Sequence, residues 1–161
     1  ILRIQTLIQE KELIEGKFTA IENMHLTLKF LGEINETNVE EVRKKLQMIS
    51  LQHCIVTLGN LGIFSFKEPR ILWISLIGDS IDTLQKKIDT ELCELFSLER
   101  RFMSHVTLAR IKKIPNTKLL INFLSTISVK KISFEIKSFS LMESHLTPKG
   151  PIYSCIEKYS L

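Results

Sequence analysis

Two short stretches, His25-Leu26-Thr27-Leu28 and His105-Val106-Thr107-Leu108, carry the same pattern eighty positions apart. Their surroundings keep that offset. Before the second copy, Ile81, Leu84, Ile88, Leu92 and Leu95 recur at helical spacing, with Asp79 or Ser80 placed to cap the helix. Before the first, Ile1, Ile4 and Ile8 trace a shorter stripe of the same kind. After the first copy, Thr37 and Glu40 read as a capping box opening a helix whose apolar face is Val39, Val42, Leu46 and Ile49. At the matching place after the second, Pro115 and Asn116 announce a helix with Leu120, Phe123, Leu124 and Ile127 inward. A strand-like run follows each helix: Cys54 to Leu58 in one half, and Ile132, Phe134 and Ile136 alternating on one face in the other. Each half closes with a proline and a further strand, Pro69 before Ile71-Leu72-Trp73-Ile74 and Pro151 before Ile152-Tyr153-Ser154-Cys155.

The order helix, His-x-Thr strand, helix, strand, strand thus occurs twice, which predicts an α+β fold with mainly antiparallel sheets. No low-complexity linker separates the halves. The expectation is one bilobal domain over residues 1–161, with two pseudo-twofold-related lobes of antiparallel sheet and helices around a central cleft. A length of 161 residues, 44% hydrophobic and 25% charged, suits one domain with a real core and excludes a disordered or collagen-like chain. No apolar run approaches the ~20 residues that a membrane-spanning helix needs. The first residue is Ile1, which reads as a start inside a longer product. The three cysteines, Cys54, Cys93 and Cys155, form no C-x-x-C pair and read as buried free thiols of a cytoplasmic protein. The net charge of +4 is uneven: residues 1–80 carry nine Lys/Arg against ten Asp/Glu, and residues 81–161 thirteen against eight, so −1 and +5. That bias is consistent with an anionic partner such as RNA, and equally with ordinary solvated surface.

Strand geometry gives the two tetrads their chemical meaning. Side chains alternate faces, so Leu26, Leu28, Val106 and Leu108 belong to a core while His25, Thr27, His105 and Thr107 point the other way. A lone His-x-Thr is usually a hydrogen-bonded, half-buried histidine. Two copies in matched contexts, related by a twofold, instead place two imidazoles and two hydroxyls around one small site. The chemistry that fits is phosphoryl transfer by general acid and base, one neutral His taking a proton from water and one protonated His giving a proton to the leaving oxygen. Threonine hydroxyls would donate to the non-bridging oxygens, where charge develops. In-line displacement needs acid and base on opposite sides of phosphorus, which a twofold supplies, and no metal or cofactor is expected.

Other patterns are weaker. A third His145-Leu146-Thr147 runs into Pro148 and a Lys149-Gly150-Pro151 turn, and it receives no catalytic role. The four histidines show no metal-ligand spacing. Gly59-Asn60-Leu61-Gly62 reads as a turn, and the basic residues Arg100, Arg101, Arg110, Lys112 and Lys113 flank the second tetrad.

Four phrases carry a resemblance: Glu22-Asn23-Met24-His25-Leu26-Thr27-Leu28-Lys29-Phe30-Leu31-Gly32, Pro69-Arg70-Ile71-Leu72-Trp73, Ser104-His105-Val106-Thr107-Leu108-Ala109-Arg110, and Ser144-His145-Leu146-Thr147-Pro148-Lys149-Gly150-Pro151-Ile152-Tyr153. In this order they resemble the RNA 2′,3′-cyclic phosphodiesterases, also called 2′-5′ RNA ligases, of the two-histidine phosphoesterases. The resemblance implies hydrolysis of an RNA 2′,3′-cyclic phosphate to a 2′-phosphate, with His25 as proton donor and His105 as proton acceptor. It also implies 2′-5′ joining as a side activity, RNA ends (tRNA halves among them) or related cyclic nucleotides as substrates, and a monomer. An RNA-end or nucleotide-binding module without turnover is the alternative. Five positions after each histidine stand Phe30 and Arg110, an aromatic that could stack on a base and a guanidinium that could hold phosphate. Both share strand parity with the core residues Leu28 and Leu108, so the strand must end or bulge for either to reach the site. Relatives usually begin with a short strand before the first helix, and that strand is expected to be missing here.

Overall fold

The computed structural model describes residues 1–65, 67–148 and 150–161, so Lys149 of the expected turn lies outside the described residues. In chain order the elements are α1 (Leu2–Glu10), β1 (Glu15–Phe18), α2 (Glu36–Gln47), β2 (Cys54–Phe64), β3 (Ile71–Ile77), α3 (Asp79–Glu91), β4 (His105–Lys113), α4 (Thr117–Thr126), β5 (Ser133–Ile136), β6 (Ser138–Thr147) and β7 (Gly150–Ser160). Helix α1, the His25 stretch, α2, β2 and β3 find counterparts about eighty residues on in α3, β4, α4, the β5–β6 segment and β7. The strand pairs whose registers are described are all antiparallel. The fold is α+β.

The chain divides into two compact units, and these are not its two sequence halves. The first takes Ile1–Thr27, Thr57–Ile77 and Met103–Ile132; the second takes Leu28–Val56, Gly78–Phe102 and Ser133–Leu161. Both histidine motifs up to the threonine therefore fall in the first unit.

In the first unit the strands run in the order β1-β4-β3-β2. Its core holds Ile8 from α1, Leu72 and Ile74 from β3, Leu108 and Ala109 from β4, and Leu120 from α4, all fully buried. Helix α4 starts as expected, with the Asn116 side chain accepting from the Leu119 N–H at 3.0 Å. Strand β2 is longer than its expected five residues because Gly59-Asn60-Leu61-Gly62 is not a turn but part of the strand. The pairing with β3 shifts register between Leu58 and Leu61, and both glycines are there for close approach. A Cβ on Gly59 would sit 2.3 Å from Ser75 Oγ, and one on Gly62 would sit 2.3 Å from the Trp73 ring.

In the second unit α2 and α3 bury Val42, Leu46, Ile81, Leu84 and Ile88, and β6 pairs with β7. Phe139 and Tyr159 face each other across that hairpin with ring centroids 5.0 Å apart. The α2 cap is Asn35, which accepts from the Asn38 N–H at 2.9 Å, two residues before the expected Thr37. Glu40 instead pairs with Arg43 one turn on, at 2.6 Å. Nor do Asp79 and Ser80 cap α3: Gly78 holds that position because a Cβ there would lie 2.5 Å from the Ile55 carbonyl oxygen, and Ser80 Oγ donates to that same oxygen at 3.0 Å. Ile132 and Phe134 are 46% and 41% exposed and do not form a buried face. Cys54 is buried, but Cys93 and Cys155 are exposed, contrary to expectation. His145 lies within β6, not beside a strandless turn, and its Nε2 is 3.2 Å from Glu143.

One ion pair anchors the segment leaving the first tetrad. Lys29 Nζ contacts Asp89 of α3, both nearly buried, and also donates to the Ser97 carbonyl at 2.8 Å. The other Asp89 oxygen accepts the Glu99 N–H at 2.6 Å. Burial pushes the Asp89 carboxyl up, but the Lys29 ammonium and the Glu99 N–H together hold it below the usual carboxylate range. A carboxylate so depressed stabilises the fold above its unfolded pKa, near 3.9, and that contribution disappears as pH falls through the folded value. Removing one member of a buried pair strands the other, so Lys29→Met should cost about 3–5 kcal/mol at pH 7. In urea unfolding, the gap between wild type and Lys29→Met should narrow on acidification toward pH ~4, as protonation relieves the stranded carboxylate; a gap independent of pH would contradict this.

Candidate active site

A single antiparallel bridge, Leu26 to Val106, joins the two motifs. The first tetrad is thus not in a strand as expected; it follows a turn of 3-10 helix (Ile21–Asn23) and pairs with β4 through an isolated bridge at Leu26. The bridge is enough to set the arrangement. Opposite Leu26 stands Val106, so His25 faces Thr107 and Thr27 faces His105 across the pair. Directly opposed side chains have Cβ atoms ~4.5–5.5 Å apart, and the diagonal pair, His25 and His105, ~7–8 Å. Every antiparallel pair has a local twofold axis through it. Here that axis exchanges His25 with His105 and Thr27 with Thr107. Val106 and Leu108 are buried on the other face, as the alternation predicts.

Both imidazoles are held the same way. His25 Nδ1 lies 2.7 Å from the Asn23 carbonyl oxygen, and His105 Nδ1 lies 2.7 Å from that of Met103, in each case two residues back. A carbonyl can only accept, so Nδ1 carries the hydrogen in both rings and donates it. Proton exchange with a substrate is thereby assigned to Nε2 in each. His25 is exposed and His105 half-buried. The Phe64 ring packs edge-on to His105 at 4.8 Å between centroids, and Phe64 in turn meets Trp73 at 5.5 Å. Trp73 is paired with Thr107, and Ser75 with His105, on the adjacent strand β3.

The parity problem at Arg110 is resolved by a bulge. Trp73 pairs with Thr107 but the next residue back, Leu72, pairs with Ala109, so Leu108 is an extra residue in β4. Leu108 and Ala109 are both fully buried, and the alternation resumes one residue late. Arg110 is exposed and therefore lies on the face of His105 and Thr107, opposite Lys17 of β1 and Ile71 of β3. Phe30 is 84% exposed and belongs to the second unit, as do Arg100 and Arg101.

A residue absent from the sequence-based set stabilises this bulge. Gln5, 5% exposed in α1, donates from Nε2 to the Thr19 carbonyl at 2.8 Å and to the Leu108 carbonyl at 2.9 Å. One side chain thus ties the approach to His25 to the bulge after Thr107. A polar residue in the midst of the Ile1, Ile4, Ile8 stripe was the legible signal. Phe64 gave none, because it contacts His105 from a different strand.

The family described as LigT like Phosphoesterase matches residues 1–73 and 75–153. An RNA 2′,3′-cyclic phosphodiesterase of Methanocaldococcus jannaschii is 35% identical over 156 residues, covering 94% of this chain and 88% of the relative. Another of that name, from Aquifex aeolicus, is 32% identical and covers 92% and 83%. Among solved structures, a protein of Thermus thermophilus superposes with a TM-score of 0.78 at 23% identity, over 99% of this chain and 88% of that one. The E. coli LigT complexed with 3′-AMP gives 0.73 at 19% identity, over 99% and 91%. The fold is that of the two-histidine phosphoesterases. The chain belongs to the LigT like Phosphoesterase family.

Gln5→Leu keeps the buried volume but leaves the Thr19 carbonyl without its donor. The expected loss is about 1–3 kcal/mol of unfolding free energy, and an unchanged urea midpoint would show that the two bonds contribute nothing.

Proposed function

We propose that this protein hydrolyses 2′,3′-cyclic phosphates at RNA ends to 2′-phosphomonoesters by acid–base catalysis between His25 and His105. The observation that carries this is the pair of imidazoles related by the Leu26–Val106 dyad, each with Nδ1 fixed on the carbonyl two residues back. The names of the relatives support the substrate class.

In the proposed reaction the cyclic phosphate sits between the two rings. His105 Nε2 takes a proton from water as its oxygen attacks phosphorus. The P–O3′ bond breaks, and the departing oxygen takes the proton from His25 Nε2, leaving a 3′-hydroxyl and a 2′-phosphate. The order of donor and acceptor follows the family resemblance; the local twofold by itself makes the two rings equivalent. Thr27 and Thr107 donate to the non-bridging oxygens as charge builds there. Arg110, on the face of His105 and Thr107, holds substrate phosphate. With a 5′-hydroxyl taking the place of water, the same groups would join ends through a 2′-5′ linkage; tRNA halves are substrates of the right chemistry.

Turnover of an oligonucleotide ending in a 2′,3′-cyclic phosphate should proceed in EDTA. His25→Ala and His105→Ala should each lower kcat by about 10²–10⁴-fold. Variants that bind the oligonucleotide and turn it over at the wild-type rate would sink the mechanism. A 3′-phosphate product would overturn the assigned leaving group, and tight binding without product would point to a binding module.

A further inference from the structure

Two constraints act on the His105 ring, and they come from different strands. The first is local: Nδ1 donates to the Met103 carbonyl at 2.7 Å. That bond favours one tautomer, yet it is a single contact on a ring whose Cβ–Cγ torsion is broad and roughly twofold. A half-turn about Cβ–Cγ would put carbon Cδ2 at the carbonyl and carbon Cε1 where Nε2 stands. The second constraint is the Phe64 ring, 4.8 Å from the imidazole between centroids and at 89° to its plane. Two flat rings set at right angles interlock, and the perpendicular arrangement is one that aromatic pairs favour.

Phe64 is itself held in place. Its ring leans on Trp73 of β3, with centroids 5.5 Å apart and planes at 39°. Trp73 in turn lies over Gly62, where a Cβ would come within 2.3 Å of the indole. Gly62 is opposed to Trp73 in the β2–β3 pair, and Trp73 is opposed to Thr107 on β4. Opposed residues share a face, so this row lies on the side of the sheet that carries His105. Glycine backbone, indole, phenyl ring and imidazole thus pack in sequence from β2 to β4, all within the first unit. Strand β2 ends at Phe64, and Ser65 follows with φ at +61°, a conformation that a residue with a side chain adopts at a cost. The Ser65 hydroxyl oxygen accepts the Glu68 N–H at 3.3 Å, and the backbone turns away directly beyond the ring that meets His105.

We propose that Phe64, backed by Trp73, is a positioning residue for His105: its ring bars the half-turn of the imidazole and keeps Nε2 presented to the substrate phosphate. This rests on the catalytic reading above, in which His105 Nε2 takes the proton from water. Phe64 handles no proton itself. Its effect falls on the fraction of molecules whose base is correctly aimed, and therefore on kcat and not on the binding of the phosphate.

Steady-state turnover of adenosine 2′,3′-cyclic phosphate gives the first test. Phe64→Leu should lower kcat by about 10–10²-fold with KM unchanged, and Phe64→Tyr, which keeps the ring, should recover most of the loss. On a His105→Ala background, Phe64→Leu should cost nothing further, because a residue acting through His105 has nothing left to position. A raised KM at the wild-type kcat would overturn the proposal in favour of a direct substrate contact. A loss as large for Phe64→Tyr as for Phe64→Leu, or one that persists on the His105→Ala background, would overturn it in favour of a general loosening of the sheet. The second test needs no turnover: NMR of protein carrying 15N-histidine, recorded with the rings neutral. His105 should be the Nδ1–H tautomer in wild type and a mixture of tautomers in Phe64→Leu, with the His25 tautomer unchanged. Gly62→Ala, which pushes Trp73 off its seat, should give the same mixture. A His105 that stays Nδ1–H in both variants would overturn the proposal. If wild type turns over no cyclic phosphate, the catalytic reading fails, and the spectrum alone decides on Phe64.

Discussion

The bridge between Leu26 and Val106 is the contact on which the site depends. It is only one residue pair wide, yet an antiparallel pair admits one local axis and one register. Once Leu26 and Val106 are opposed, His25, Thr27, His105 and Thr107 have no choice of neighbour. Slipping the first motif by one residue against β4 would send His25 and Thr27 to the other face, away from His105 and Thr107. On its side β4 is fixed by its pairing with β3 and by the burial of Val106 and Leu108, which hold His105 and Thr107 on the opposite face. The arrangement of the two imidazoles and two hydroxyls is thus held by apolar residues on the opposite face.

Two further devices refine that geometry. The carbonyls of Asn23 and Met103 fix each ring and its tautomer, at the same distance and the same sequence offset. The Leu108 bulge then breaks the symmetry that the bridge imposes. It re-aims Arg110, and Gln5 holds it from the helix behind by engaging the carbonyl of the extra residue. The two histidines keep the local symmetry, and the bulge gives β4 an exposed guanidinium on their face that the first copy does not match.

Much of this was legible in the sequence for a simple reason: repetition reports on itself. The eighty-residue offset located both motifs, and helical periodicity placed α3 and α4 with their buried faces. What escaped were features decided by another segment of chain. Gly59 and Gly62 look like a turn until Ser75 and Trp73 are seen to occupy the space a side chain would need. Thr37 with Glu40 matches the capping box, and that pattern masked Asn35, a stronger cap by residue type and the one the chain uses. The outward aim of Arg110 needed a bulge that parity could demand but not locate. Phe64 reaches His105 across strands, at a separation no local pattern records.

The interleaving of the two units has a consequence for how such a chain can be assembled at all. Each unit draws on residues from both sides of position 80, so neither half of the sequence contains a whole core. A chain of half the length would need a second copy of itself to complete either one. Within one chain, the first copy of the motif is free to keep a phenylalanine, Phe30, where the second keeps an arginine, Arg110.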